Sequence, residues 1–282
     1  MSAKGGRRAG PPPIAILTDF GNRDHYVGVM KGVIASIAPE APVIDLAHGV
    51  PPQSVSAGAL MLKQSWRFFP PRTIFVAVVD PGVGTARLPV AVETRAGARF
   101  VGPDNGVLWL AVEEAKPRIA VELREPRYRL AHVSATFHGR DVFAPAAAHL
   151  WRGVKVAAMG PRLRGGLTAL ELPAPRARTR EVRGEVIYVD SFGNLVTNIG
   201  RDALRRFAAR FHGMPLSVRM DSGAPMEIRN AYGDVRKSAS LATFGSFELL
   251  EIAVRDGNAA CRFAAAPGAV VTVRPLKRNS HG

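Results

Sequence analysis

The chain has 282 residues, of which 47% are hydrophobic and 7% aromatic, so it can form one large domain or two ordinary ones. Its single cysteine excludes an internal disulfide, and no apolar run reaches the roughly 18 residues of a membrane-spanning helix. The net charge is +15, but the arginines are scattered and no nucleic-acid-binding pattern accompanies them. We therefore expect neither a membrane nor a nucleic acid as the main partner.

Residues 1–13 are basic and rich in glycine and proline. No apolar stretch follows that would make them a signal peptide. This pattern predicts a disordered tail and, together with the lone cysteine, a cytoplasmic location.

From residue 14 onward, strand signals alternate with helix signals. Strands are predicted in 13–21, 42–50, 73–80, 88–97 and 99–106, and helices in 26–39, 54–70, 105–115 and 139–153. Such alternation predicts an α/β domain over 14–172, with a mostly parallel sheet flanked by helices.

The pattern changes near residue 170. Segment 173–182 contains prolines and charges without a sustained period, which predicts a linker. Residues 183–282 then predict a smaller β-rich domain. Its expected elements are two strands around a "DSFGN" turn in 184–199, a helix in 201–211, and strands in 215–220, 226–235, 247–263 and 269–276.

Polar residues follow several predicted strands of the first domain. Asp19 ends "AILTDFG", Asp80 ends "FVAVVDPGVG", and Asp104 lies in "RFVGPDNG". In an open α/β sheet, ligands bind at the carboxyl ends of the strands, so these positions are candidates for a site. The alternative is turn chemistry, which fits the Asp-Asn-Gly sequence after Asp104 especially well.

Three residues form a weak candidate triad on chemistry alone. Arg87 follows Asp80 by seven positions, and His138 comes just before a predicted helix in "SATFHGRDVF". An ordinary ion pair across a tight loop and a structural histidine are the alternatives, while Asp141 fits a helix-start role.

Six motifs in order carry a resemblance to a known family. They are "ILTDFG", "VVDPGVGTAR", "FVGPDNGVL", "TFHGRDVFAPAAA", "DSFGNLVTNI" and "LLEIAVRDGNAA". Together they resemble the S-adenosylmethionine (SAM) hydroxide adenosyltransferase family, SAM hydrolases related to fluorinases and chlorinases, over roughly residues 14 to 275. The resemblance implies an α/β domain, a smaller β domain and a homotrimer. It also implies that SAM binds between the N-terminal domain of one subunit and the C-terminal domain of a neighbour, with no cofactor and no metal.

The resemblance also assigns residues. It implies an Asp80–Arg87–His138 catalytic triad. It implies substrate contacts from both domains: Asp19, Asp80, Asn194, Ser246, Glu251 and Val254. The stretch "GSFELLEIAV" departs from the more usual "NSFGYLEIAV", which affects the surroundings of Ser246 and leaves Glu251 intact.

The implied reaction is a substitution at ribose C5′ that converts SAM and water to adenosine and L-methionine. The sulfonium is a good leaving group, so the protein has to hold the water in line and remove its proton. A Pro-Gly corner after Asp80 would fix the direction of the carboxylate.

Three alternatives remain open at this point. A halogenase of the same fold would lack the triad, which this chain retains. A non-catalytic SAM or adenosine sensor would bind without turnover. A metal-dependent hydrolase would draw its ligands from the acidic and histidine residues of the first domain, namely Asp19, Asp24, His25, Asp104, His138 and Asp141, although no HExxH pattern supports it.

Overall fold

The computed structural model describes residues 10–212, 214–221 and 223–276, and the chain divides into two compact units between Leu170 and Glu171. Most of the predicted tail, residues 1–9, lies outside the described residues. Its end differs from the expectation of disorder, because Pro13 is buried and Trp151 Nε1 donates to Pro12 O at 2.8 Å.

The N-terminal unit combines one sheet with four α-helices. Its strands are β1 (Ile14–Thr18), β2 (Val43–Ala47), β3 (Ile74–Val78), β4 (Pro89–Thr94), β5 (Arg99–Pro103) and β6 (Pro117–Glu122). Its helices are α1 (Tyr26–Ile37), α2 (Val55–Ser65), α3 (Trp109–Ala115) and α4 (Ala144–Trp151).

The sheet has the order β2-β1-β3-β5-β4-β6, and it is mixed rather than purely parallel, in broad agreement with the expected mostly parallel sheet. Strands β2, β1, β3 and β5 are parallel, whereas β4 pairs antiparallel with both β5 and β6. The reason is the short connection 95–98 between β4 and β5, which can form a hairpin but cannot cross over the sheet. Strand β6 was not predicted.

Both faces of the parallel strands are covered, which explains why β1 and β3 are apolar at every position. One face packs against α1 and α4, through residues such as Ile16, Val76 and Met30. Side chains at the alternate strand positions point to the opposite face, where Phe75 stacks on Phe100 with ring centroids 5.0 Å apart. This buried sheet gives the loops at its carboxyl edge a rigid base.

The C-terminal unit is built on an eight-stranded antiparallel sheet with two helices. Its strands are β7 (Arg176–Ala177), β8 (Val182–Val189), β9 (Leu195–Gly200), β10 (Leu216–Met220), β11 (Met226–Glu227), β12 (Ser240–Phe244), β13 (Leu249–Val254) and β14 (Val270–Pro275). Its helices are α5 (Arg201–Ala209) and α6 (Ala259–Phe263). A bridge between Ile228 and Ala242 brings the two ends of the sheet together, so the sheet is barrel-like. The predicted division into an α/β domain and a β-rich domain is confirmed at this level.

Some predicted elements of this unit differ. Segment 247–263 is not one strand, since β13 is followed by α6, whose cap is Asn258 accepting from Cys261 N at 2.8 Å. Strand β12 was not predicted, and the segment 226–235 is mostly irregular. The segment predicted as a linker contains β7, which pairs with β8. The finer domain boundaries stay predictions.

None of the described helices is both long and apolar enough to cross a membrane.

Candidate active site

Three neighbouring strands of the N-terminal unit end in polar residues at one edge of the sheet. Asp19 follows β1, Asp80 lies two residues after β3, and Asn105 comes shortly after β5. The strands are parallel, so these carboxyl ends lie side by side. Asn105 Nδ2 donates to Val79 O at 2.8 Å and so braces the residue before Asp80.

Asp80, Arg87 and His138 meet in one hydrogen-bonded cluster. Arg87 Nε donates to Asp80 Oδ1 at 2.9 Å, and Arg87 Nη2 donates to the other oxygen, Asp80 Oδ2. The same Nη2 contacts His138 Nδ1 at 2.8 Å. The side chains of Arg87 and Asp80 are only 8% and 5% exposed. The arginine therefore joins the carboxylate and the imidazole in a fork that is largely shielded from water.

The surroundings of this cluster keep His138 neutral. Burial lowers the pKa of His138, and the positive charge of Arg87 lowers that pKa further. The guanidinium carbon of Arg87 lies 5.4 Å from the ring centroid of Phe143, which adds an apolar wall. Arg87 Nη1 is buried without a hydrogen-bond partner among the described residues.

The glycine-rich corner after Asp80 allows the two loops of the cluster to touch. Gly84 has φ +76°, and a Cβ added there would lie 2.5 Å from Ala135 O. Only glycine combines this backbone conformation with this close approach. Arg87 and His138 are thereby brought together from loops 51 positions apart in the chain.

His138 precedes a π-helical turn, Gly139–Phe143, that runs into α4. Pro145 lacks an N–H, so the carbonyl of Asp141 has no partner four residues on and accepts from Leu130 N at 2.9 Å instead. The turn therefore ties the His138 loop to a neighbouring loop, and single π turns of this kind are frequent at functional sites.

Asp141 supports the loop from inside. The residue is fully buried, and its Oδ2 accepts from Ser134 N at 2.8 Å. Burial alone would raise the pKa of Asp141, but hydrogen bonds from Arg140 and Ser134 bring the pKa below its usual value. Its carboxylate thus holds both the backbone before His138 and the side chain of Arg140.

The two other acids of this edge have structural partners. Asp19 Oδ2 accepts from Gln53 N, and Asp104 Oδ1 accepts from Thr168 N, both at 2.8 Å. Asp104 thus holds a segment 64 positions away, while the local turn bond of this stretch is made by Asn105, whose Oδ1 accepts from Val107 N at 3.2 Å. Asp19 is half-buried at the same edge as Asp80, without a direct bond to the triad.

The described residues contain no ligand cluster for the metal-dependent alternative. Among the described residues, no group of three or more histidine, cysteine, aspartate or glutamate side chains is arranged to hold a metal ion. Asp24 and His25 are exposed, and His25 stacks on Tyr26.

The C-terminal unit holds a separate concave region of about 990 Å³, named here the C-terminal cavity. Four of the predicted substrate-binding residues line it together with two that were not predicted: Asn194, Ser246, Glu251 and Val254, with Asp190 and Tyr232. Exposed aromatic rings border it, since Phe192 is 77% and Phe247 44% exposed.

The polar groups of this cavity are arranged around two carboxylates. Asp190 Oδ2 accepts from Asn194 Nδ2 at 2.9 Å, which orients the amide. Glu251 Oε2 accepts from the Tyr232 hydroxyl at 3.1 Å. Burial raises the pKa of Glu251, and burial with the Glu251 charge raises the pKa of Tyr232 to about 12. The tyrosine therefore acts as a hydrogen-bond donor at neutral pH.

Both departures from the "NSFG" stretch that the resemblance implies have a structural consequence. A Cβ at Gly245 would lie 1.7 Å from Glu251 Oε1, so the missing side chain makes room for this carboxylate. Glu248 has φ +61°, a conformation that favours glycine.

Sequence reasoning missed Asp190 and Tyr232 for different reasons. Asp190 starts the "DSFGN" turn and looks like an ordinary turn residue, although its position beside the predicted Asn194 was a usable signal. Tyr232 starts a short 3₁₀ turn, Tyr232–Asp234, 19 positions from Glu251, and nothing in the sequence relates the two residues.

Residues 14–160 match the SAM hydroxide adenosyltransferase N-terminal domain, and residues 184–272 match the C-terminal domain of the same family. A Thermus thermophilus protein named (R)-S-adenosyl-L-methionine hydrolase is 41% identical, over 88% of this chain and 93% of the relative. A Nocardia brasiliensis fluorinase is 28% identical, over 81% and 83%.

A solved structure of an uncharacterised conserved protein from Thermotoga maritima is also similar. It has a TM-score of 0.84 and 37% identity, and the match covers 93% of this chain and 99% of that one.

Proposed function

Because the chain belongs to the SAM hydroxide adenosyltransferase family, we propose that it hydrolyses (R)-S-adenosyl-L-methionine by attack of water at ribose C5′, giving adenosine and L-methionine. The observation that carries the proposal is the direct hydrogen bonding of Asp80, Arg87 and His138 in a shielded cluster. The (R) configuration at sulfur follows the names of the hydrolase relatives.

The leaving group needs little assistance from the protein. Cleavage of the C5′–S bond turns a cationic sulfonium into a neutral thioether, so methionine departs without a general acid. The nucleophile is the demanding partner, because a water molecule has to be held in line with that bond and lose a proton. The Asp80–Arg87–His138 cluster offers a carboxylate for the proton and a fixed geometry for that carboxylate.

Substrate recognition is proposed for Asp19 and Asp80 in the N-terminal unit and for Asn194, Ser246, Glu251 and Val254 in the C-terminal cavity. A volume of about 990 Å³ suits a nucleoside with an amino-acid side arm. The exposed rings of Phe192 and Phe247 offer faces for a purine to stack on. Carboxylates at both places also suit the cationic sulfonium and ammonium groups of SAM.

A homotrimer stays part of the proposal, because the resemblance implies that neighbouring subunits contribute to one site. Light scattering of the purified protein tests the trimer: a monomeric mass with full activity at the same dilution would contradict it. The cytoplasmic location remains a prediction as well.

The decisive experiment is incubation of the purified protein with (R)-SAM and with (S)-SAM, in the presence of a chelator, followed by chromatography. We expect adenosine and methionine in equal amounts, formed faster from the (R) epimer. A 5′-halogenated adenosine formed when halide is added would instead identify a halogenase. Binding without any product would identify a sensor.

A further inference from the structure

The contact between Arg87 and His138 has only one possible direction. An arginine side chain carries donors and no acceptor, so Arg87 Nη2 donates and His138 Nδ1 accepts across the 2.8 Å contact. In neutral imidazole one nitrogen carries the proton and the other the lone pair. The proton of His138 must therefore be on Nε2, which leaves this side chain no free lone pair with which to accept another proton.

The groups that surround His138 together favour the neutral ring. Burial and the positive charge of Arg87 lower the pKa of His138, and Arg129 lowers it further, while Asp80 and Asp141 act in the opposite direction. The lowering influences prevail, so the ring is neutral at physiological pH. If His138 were the base, Nδ1 would have to carry the proton and would then face another donor at 2.8 Å.

We propose that Asp80 accepts the proton of the attacking water, and that His138 is a positioning residue which holds Arg87, and through it Asp80, in a fixed orientation. A carboxylate has about four lone-pair sites, and the contacts with Arg87 Nε and Nη2 use two of them. Asp80 can therefore accept from a water molecule while the fork stays intact. This inference rests on the proposed hydrolysis.

The proton balance does not require a strong base. The water oxygen forms a bond to C5′, and the C5′–S electron pair leaves with the methionine sulfur. The positive charge thereby moves from sulfur to the new C5′–OH₂ oxygen. A protonated alcohol is a strong acid, so its proton passes to the Asp80 carboxylate, which later releases it to solvent.

The first test reads the proton directly on the wild-type protein. Nitrogen-15 NMR of histidine-labelled protein, with His138→Asn used to assign the signal, distinguishes protonated from unprotonated ring nitrogens. We expect Nε2 protonated and Nδ1 unprotonated in the substrate-free protein at pH 7.5. A proton on Nδ1 would overturn the inference. This measurement needs no turnover, so it stays valid even if the proposed hydrolysis fails.

The second test applies the same amide substitution at two positions. In His138→Asn, the Asn oxygen lies where Nδ1 was and can accept from Arg87, so we expect kcat within about 10-fold of wild type. His138→Leu is the matched control of similar size without an acceptor, and Asp80→Asn cannot take a proton. The kcat of His138→Leu and that of Asp80→Asn should each fall roughly 10²-fold or more.

Other patterns of kcat among these variants would overturn the assignment of Asp80 as the base and His138 as a positioning residue. If His138 were the base, His138→Asn and His138→Leu would lose kcat equally. If His138 had no positioning role, His138→Leu would keep full kcat. Melting temperatures of all three variants separate loss of folding from loss of turnover, and wild-type adenosine formation must be established first, since its absence would contradict the proposed function and not the proton assignment.

Discussion

The Asp80–Arg87–His138 cluster and the C-terminal cavity hold their polar groups in opposite ways. In the cluster, every member is bonded to another and the arginine and aspartate side chains are less than 10% exposed. In the cavity, aromatic rings are exposed, and among the described residues Glu251 has only a tyrosine hydroxyl as a side-chain partner. Under the proposed function, the cluster is preorganised before substrate arrives, as reacting groups need to be, whereas the cavity would gain its partners from the ligand.

The largest effect should come from breaking the cluster at its centre. Arg87→Ala leaves a buried carboxylate unpaired, so we expect about 3–5 kcal/mol loss in the free energy of unfolding and a kcat lower by roughly 10²-fold. Arg87→Lys should recover only part of the activity, because a point charge cannot replace the three contacts of the planar fork.

Arg118→Ala is the matched control for stability, since Arg118 pairs with Glu93 but is 61% exposed. Its loss should cost less than about 1 kcal/mol. Denaturant unfolding and steady-state kinetics measure both effects. Equal destabilisation by the two arginine substitutions would contradict the view that burial makes the cluster rigid.

The second effect concerns the contact between the two loops that carry the cluster. Gly84→Ala places a methyl group 2.5 Å from Ala135 O in a left-handed backbone, so we expect about 3 kcal/mol of destabilisation and reduced kcat. Gly165 has φ +90° and nothing within 4 Å, so Gly165→Ala isolates the backbone cost, about 1–2 kcal/mol. Melting curves of both variants give the difference, and identical losses would refute a tight contact at Ala135.

The sequence predicted the members of the cluster but not the hydrogen bonds that connect them. Asp80, Arg87 and His138 were selected by motif resemblance, and the strand ends explained why Asp19 and Asp80 share one edge. The direction of the Arg87–His138 bond depends on side-chain placement between loops 51 positions apart, which no local pattern encodes. In the same way, β12 and Tyr232 contribute through tertiary pairing, and α6 is too short for a helical period to show.

A moderate effect is expected in the cavity. Tyr232→Phe removes the hydroxyl that Glu251 accepts from, so adenosine should bind roughly 10-fold more weakly while kcat changes less. Tyr188, a half-buried tyrosine of the same unit that does not line the cavity, provides Tyr188→Phe as the control. Calorimetric titration with adenosine measures the affinities. An unchanged affinity in Tyr232→Phe would remove this pair from the recognition site.

The smallest effect concerns Glu248, which stands where the "NSFG" stretch has a glycine. Glu248→Gly relieves a left-handed glutamate and loses a partly exposed ion pair with Arg201, so we expect a gain of about 0–1 kcal/mol in the free energy of unfolding. Arg201→Ala removes the ion pair together with the contact of Arg201 over the Phe244 ring, so the same denaturant titration gives an upper limit for the ion pair. A loss of stability in Glu248→Gly larger than that in Arg201→Ala would mean that the backbone at 248 is not strained.

The central claim, that water attacks C5′ beside the N-terminal cluster, is tested most directly by the fate of the oxygen atom. A single turnover of (R)-SAM in ¹⁸O-labelled water, followed by mass spectrometry of the products, identifies the carbon that was attacked. The account predicts the label in the 5′-hydroxyl of adenosine and none in methionine. Label in methanol or in a homoserine product, or adenosine formed without label, would contradict it.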